Sequence, residues 1–257
     1  MDLRLKDKLF IVTGASSGFG KAIASMLSKE EARVIAVARG TDKLKMLQDE
    51  HPAIEILSLD ITRPDSLNSL VESVGERDLA GIVVNAGGPP AKAFLETDMD
   101  DWDQAYRQVL RWKVDLTHAF LPFFEKNNYG RDLFIESYSV KQPVPNLVLS
   151  NSLRLAVTGF VKTFSDEIAY RGITANVMAP GLHMTPALER VIRKNSEAGG
   201  ISPEEAKDEM LSRVPVRTTG SVEDFASLAV WLLSPWSSYI TGQTISVDGG
   251  AVRGAMG

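Results

Sequence analysis

Ser150 and Arg154 stand four residues apart in the stretch VLSNSLRLAV. On a helix that spacing puts them on one face, one turn from each other. The pair joins a hydroxyl to a permanent cation. Serine is a poor proton donor: a tyrosine phenol has an ordinary pKa of about 10, and an alkyl hydroxyl starts well above it. One arginine does not bridge that gap. Arg154 carries a permanent charge and several N–H donors. Ser150 then reads as a hydrogen-bonding or water-holding residue. LSNSL also looks like a helix start, in which Ser150 or Ser152 would be the cap.

Other residues could move a proton. His183 has an ordinary pKa of about 6.5, close to neutral pH. Tyr138 and Lys141, in YSVK, are three apart in a strand-to-loop segment, which is not the geometry of a helical i,i+4 pair. His51, His118 and His183 show no metal-ligand spacing, and there are no cysteines. No metal site is therefore expected, and disulfides and thiolate catalysis are excluded.

A different chemistry is written in TGASSGFG, residues 13–20. Gly14, Gly18 and Gly20 give the spacing GxxxGxG between an apolar run and a helical pattern. Glycines there allow a tight turn and leave helix N–H groups free to meet a pyrophosphate. The same letters contain GxSxG, the nucleophile elbow of α/β-hydrolases, with Ser16 as nucleophile and Asp115 and His183 following in the required order. Such elbows usually sit mid-chain rather than on the opening strand. A turn that merely needs glycines is the third reading.

These residues need a frame to hold them. KLFIVTG, RVIAVAR, IEILSLD, GIVVNAGG, RDLFIESYS, ITANVMAPG and GQTISVDGG read as strands, most of them short apolar runs. Helical patterns alternate with them. Thr41 is placed to cap the helix TDKLKMLQDEH. SNSLRLAVTGFVKTFSDEIAY carries Leu153, Ala156, Val157, Phe160, Phe164 and Ile168 along one face. SVEDFASLAVWLLS has a capping box in Ser221 and Asp224 and stops at Pro235. The segment from Leu182 to about Thr219 is less regular, with EAGG as a hinge. The βα rhythm implies one α/β domain over residues 1–257, a doubly wound, mostly parallel seven-stranded sheet of the Rossmann type with helices on both faces.

With TGASSGFG, NAGG and APG in this order and at these separations, the chain resembles the short-chain dehydrogenase/reductase superfamily over essentially its whole length. YITGQTISVDGG resembles in particular the 3-oxoacyl-acyl-carrier-protein reductases and glucose-dehydrogenase-like members. The resemblance implies that Gly14, Ser16, Ser17, Gly18, Phe19 and Gly20 bind a cofactor diphosphate. Arg39, at the end of the second strand, stands where an acidic residue would select NAD(H). An arginine there suits a 2′-phosphate, so NADP(H) is expected over NAD(H); the alternative is a solvated surface arginine. Asp60 and Ile61 match the adenine-contacting pair. Asn85, Ala86 and Gly87 match the family's NAG. Pro180, Gly181, His183 and Thr185 fall along the nicotinamide.

The family's chemistry usually rests on a serine, a tyrosine, a lysine and an asparagine. Ser137 matches the serine, thirteen positions before Ser150. Ser150 occupies the tyrosine position, Arg154 the lysine position and Val109 the asparagine position. The family's lysine binds the ribose, so Arg154 is expected to donate to the cofactor's ribose hydroxyls, and a water held by Ser137 and Ser150 is a further proton source. The resemblance therefore implies an NADP(H)-binding oxidoreductase with an altered proton-delivery set, in which Ser137, Ser150 and Arg154 are the candidate catalytic residues. The alternative is a catalytically quiet cofactor-binding sensor or assembly protein. Residues 186–215 match the variable substrate lid, and a homotetramer or dimer is implied.

Composition narrows the setting. The formal net charge of −5 over 257 residues argues against a nucleic-acid surface. The longest apolar run, around FASLAVWLL, is about half of what a membrane span requires. MDLRLKDKLF has no apolar stretch of signal-peptide length. A cytoplasmic protein acting on a small-molecule or acyl-thioester substrate is expected, with no nucleic-acid or membrane partner.

Overall fold

The computed structural model describes residues 1–255. Seven apolar segments form strands: β1 (Leu9–Thr13), β2 (Arg33–Ala38), β3 (Ile54–Ser58), β4 (Leu79–Val84), β5 (Gly130–Ile135), β6 (Ile173–Pro180) and β7 (Thr244–Val247). They make one sheet in the order β3-β2-β1-β4-β5-β6-β7, and every pairing is parallel. Parallel neighbours need long crossovers, which explains the alternation of strands with helices. The helices are α1 (Gly18–Lys29), α2 (Thr41–Glu50), α3 (Pro64–Val74), α4 (Met99–Tyr106), α5 (Trp112–Asn127), α6 (Val148–Ile168), α7 (Pro186–Gly199), α8 (Pro203–Leu211) and α9 (Val222–Leu233). A π-turn, Arg107–Arg111, joins α4 to α5.

The core has two layers because successive strand residues face opposite sides. Phe10, Val12, Val34, Ala36 and Met178 pack with residues of α1 and α9 on one face. Leu9, Ile11, Ile35, Ile82, Phe134 and Val177 pack with α3, α5 and α6 on the other.

Four expectations from the sequence are corrected. Gly40, not Thr41, caps α2; the Thr41 hydroxyl instead meets that of Ser58 at 2.8 Å. α6 starts at Val148, so Ser150 and Ser152 lie inside it and neither caps. Its deepest stripe is Leu149, Ser150, Arg154, Val157, Val161, Phe164, Ser165 and Ile168, while Ala156 is exposed. Ser150 and Arg154 thus head the face that packs inward. Finally, the stretch read as irregular after Leu182 holds two helices, α7 and α8, with EAGG closing α7 and Gly200 as its left-handed cap. No helix among the described residues is long and apolar enough to cross a membrane.

Candidate active site

The chain leaves β1 toward β2 on one side and β4 lies on the other, so strand order reverses between β1 and β4. In open parallel sheets such a point forms a crevice at the carboxyl ends of the strands. A cleft of about 1030 Å³ opens there. Its walls include Gly14, Ser16, Ser17, Gly18 and Phe19 from the turn after β1, and Arg39, Asp60 and Ile61 from the turns after β2 and β3. Asn85, Ala86 and Gly87 follow β4, and Gln108, Glu136, Arg154 and Thr185 complete the far end.

Thr13 ties the two central strands together below this cleft. Its hydroxyl accepts from the Asn85 N–H at 2.8 Å. Gly14 has φ +63°, and a Cβ there would lie 2.6 Å from the Asn85 side chain. Gly20 is buried inside α1, where a Cβ would meet Gly14 O at 2.3 Å. Only glycines let the helix start this close to the strand end. Ser17, the cap of α1, makes no side-chain capping bond, and the first turn carries no acid. The positive helix end and its free N–H groups are left to an anion.

Arg39 stands at the cleft rim, 81% exposed, with Nη1 4.0 Å from Asp60 Oδ2. Asp60 is fixed by the Thr62 hydroxyl and N–H at 2.7 and 3.1 Å. A dinucleotide with a 2′-phosphate fits this set: glycines that admit a diphosphate, uncommitted helix N–H groups, and a solvated guanidinium at the adenosine end.

The opposite end is unusual. Arg154 is buried, and its Nε–H donates to Ser150 Oγ at 3.1 Å. Its Nη1 donates to Glu136 Oε2 at 2.9 Å. Lys113 donates to the other oxygen, Glu136 Oε1. All three side chains are withdrawn from water, Glu136 completely. Burial, together with the nearby Arg154, pushes the Lys113 ammonium below its ordinary pKa, against the pull of Glu136. Ser150 Oγ receives the Arg154 N–H, so its own hydrogen remains free to donate. Ser137 Oγ accepts from the Ser139 N–H at 3.2 Å.

Several expected residues lie outside the cleft lining, Gly20, Ser137 and Ser150 among them. Pro180 ends β6, and Gly181 packs against Asp248, whose Cα a Cβ at Gly181 would approach to 2.6 Å. His183 is buried between Phe19 and Phe225, with Nδ1 3.3 Å from Gly181 O. Burial holds its pKa below the usual value. The ring is therefore neutral at neutral pH and is held in an aromatic box, a poor setting for a proton donor. Tyr138 lies in a 3₁₀ turn after Ser137, and burial raises its phenol pKa, which makes it a weaker acid. The hydrolase arrangement is not assembled. Ser16 lines the cleft, whereas Asp115 is bonded to Arg111 at 2.9 Å in a separate hollow of about 300 Å³.

Gln108 of the lining was not anticipated from the sequence, and neither were the buried charges Glu136 and Lys113. A faint signal existed for each of the two charges. Glu136 continues the inward phase of Phe134 just past β5, and Lys113 interrupts the apolar series Val109, Trp112, Leu116, Phe120. Among the described residues, no three His, Asp or Glu side chains converge as metal ligands.

Comparison with known proteins fits this geometry. A family profile described as enoyl-(acyl carrier protein) reductase matches residues 14–252. The chain is a short-chain dehydrogenase/reductase. This short-chain dehydrogenase/reductase is 30% identical to the 3-oxoacyl-(acyl-carrier-protein) reductase FabG of Thermotoga maritima, covering 97% of the chain and 100% of the relative. It is 32% identical to FabG of Salmonella typhimurium, covering 96% and 98%. The L-sorbose reductase of Gluconobacter frateurii, solved with NADPH and L-sorbose, superposes with a TM-score of 0.93 at 26% identity, covering 99% of this chain and all of that one.

Proposed function

We propose that this protein is an NADP(H)-dependent oxidoreductase interconverting a carbonyl and an alcohol, with 3-oxoacyl thioesters as the first substrate class to try. The observation that carries the reading is the cleft at the β1/β4 reversal, with uncommitted N–H groups at the start of α1 and Arg39 after β2. The NADPH-bound L-sorbose reductase supports the dinucleotide assignment by likeness. Gly14, Ser16, Ser17 and Gly18 would hold the diphosphate. Asp60 and Ile61 would flank the adenine, and Asn85 to Gly87 and Thr185 would border the nicotinamide half. Pro180, Gly181 and His183 would support that border from behind. When bound, the cofactor supplies a hydride to the substrate carbon.

The protein's own task is then the substrate oxygen. Ser137 and Ser150 would donate hydrogen bonds to it, while Arg154 would donate to the cofactor's ribose hydroxyls beside the nicotinamide and set its charge close to the reacting oxygen. A water held by the two hydroxyls would relay a proton from solvent to that oxygen, with no hydroxide left behind, since His183 is boxed in and burial makes the Tyr138 phenol less acidic. The helical pair α7 and α8 would serve as the lid, and the assembly as a cytoplasmic homotetramer or dimer.

A second reading is favoured by one observation: Arg154 is engaged by Glu136 and Ser150, and the residue one helical turn before it is a serine rather than a tyrosine. A catalytically quiet NADP(H)-binding protein would tolerate this. One assay separates the two. NADPH consumption is followed with 3-oxoacyl thioesters, ketones and sugars, with cofactor binding measured in parallel. Turnover of one class, lost in Ser137→Ala, is expected. Bound NADPH with a flat trace across the panel leaves the quiet reading, and absence of NADPH binding overturns both.

A further inference from the structure

Lys113 and Glu136 have no role in the chemistry described so far, yet they are the most deeply buried charges near the cleft, with side-chain exposures of 2% and 0%. Stability alone is a poor reason for them. Desolvating an ion pair costs about as much as the attraction returns, and an apolar pair of similar volume often serves as well. What the pair does is set the geometry of Arg154. A carboxylate facing a lone guanidinium commonly takes it with both oxygens, in two parallel bonds. Here Lys113 occupies Glu136 Oε1, so Arg154 is held through Oε2 and a single Nη1 contact. Its Nε is left for Ser150, and its Nη2 lies against Gly88 on the cleft wall, where a Cβ would come within 2.9 Å.

We propose that Lys113 and Glu136 are a positioning pair that holds the Arg154 guanidinium edge-on to the cleft, presenting Nη2 to the ribose hydroxyls at the nicotinamide end of NADP(H). The proposal rests on the cofactor reading above and adds the device that orients its cation. Lys113 prevents Glu136 from chelating Arg154. Glu136 prevents two buried cations from repelling one another. Gly88 supplies the space into which the guanidinium edge fits, and its backbone is outside the left-handed region, so alanine there meets only Arg154.

The test compares two ligands. NADPH carries the nicotinamide ribose; 2′,5′-ADP carries the adenosine end and the 2′-phosphate without it. Binding of each is measured by calorimetry to the parent, to the double variant Lys113→Met/Glu136→Gln, and to Gly88→Ala. Loss of one hydrogen bond to a charged group predicts about a tenfold loss of NADPH affinity in both variants, with 2′,5′-ADP bound as tightly as by the parent. A general structural defect would weaken both ligands together. An unchanged ratio of the two affinities overturns the positioning role. If the double variant fails to fold, Gly88→Ala decides, because it keeps all three charges. A parent that binds neither ligand overturns the cofactor reading instead.

Discussion

Asp132 and Glu136 lie four residues apart on the same face of the chain through β5, and their surroundings treat them in opposite ways. Glu136 is held between two cations. Asp132 is buried with no hydrogen-bond partner on either oxygen; nearby Thr117 gives its hydroxyl proton to Lys113 O at 2.9 Å. Burial pushes the Asp132 carboxyl up to about 8, so at neutral pH it is a neutral acid inside the fold. The unfolded chain would release that proton near pH ~3.9. Stability is therefore greatest below that value and falls as pH rises toward 8, by up to about 1.36 kcal/mol per unit, then levels off. Asp132→Asn should be more stable than the parent at the alkaline end, with an advantage that shrinks on acidification. Thermal unfolding across that range checks it; a difference independent of pH would refute it. Residues whose meaning is local, such as Gly14 and Gly20, were legible in the sequence because a turn between a strand and a helix announces them. Lys113 and Glu136 were not. Each is a charge at an inward position, and its partner lies 23 residues away in the chain and across a layer of the fold.

At the scale of elements, the seven strands and the long amphipathic helix could be read from period and punctuation, while the region after Leu182 could not. Its helices carry many charges and bury little: Leu188 and Ile192 of α7 and Ala206 of α8 form a small separate cluster. Period is weak evidence where so few apolar residues set it. The informative signals were at the ends. Ser202 caps α8 and accepts from the Glu205 N–H at 3.2 Å, Glu205 reaches back to the Ser202 N–H at 2.8 Å, and Pro203 opens the helix. Such a box removes two unpaired donors at once. Ser202→Ala should cost about 1 kcal/mol, felt locally. Hydrogen exchange should quicken in α8 and leave β1, β4 and β5 unchanged. Equal acceleration everywhere would mean that α8 does not open on its own. The start of α6 shows the converse: LSNSL has the composition of a cap, but the chain is already helical at Val148, and tertiary packing of Ser150 and Arg154 overrides the local preference.

At the scale of the whole molecule, the order of strands makes the site, because it brings the turns after β1, β2, β3 and β4 to one edge of one sheet. A ligand that spans those turns touches groups spread over the first half of the chain and must stabilise the fold as a unit. At about a hundred times its Kd, a ligand bound only by the native state adds about 2.7 kcal/mol, enough to raise Tm by several degrees. NADPH and NADH differ only in the 2′-phosphate, and the group proposed to read it is Arg39, exposed at the rim and 4.0 Å from Asp60. At equal concentrations NADPH should raise Tm more than NADH. Arg39→Ala should bring the NADPH shift down to the NADH value without moving the Tm of the free protein, since a solvated side chain contributes little to the fold itself. Added salt should narrow the difference in the parent, because the contact is between exposed charges. A parent that prefers NADH, or a variant that keeps its preference for NADPH, would remove Arg39 from the cofactor site and return it to the solvent.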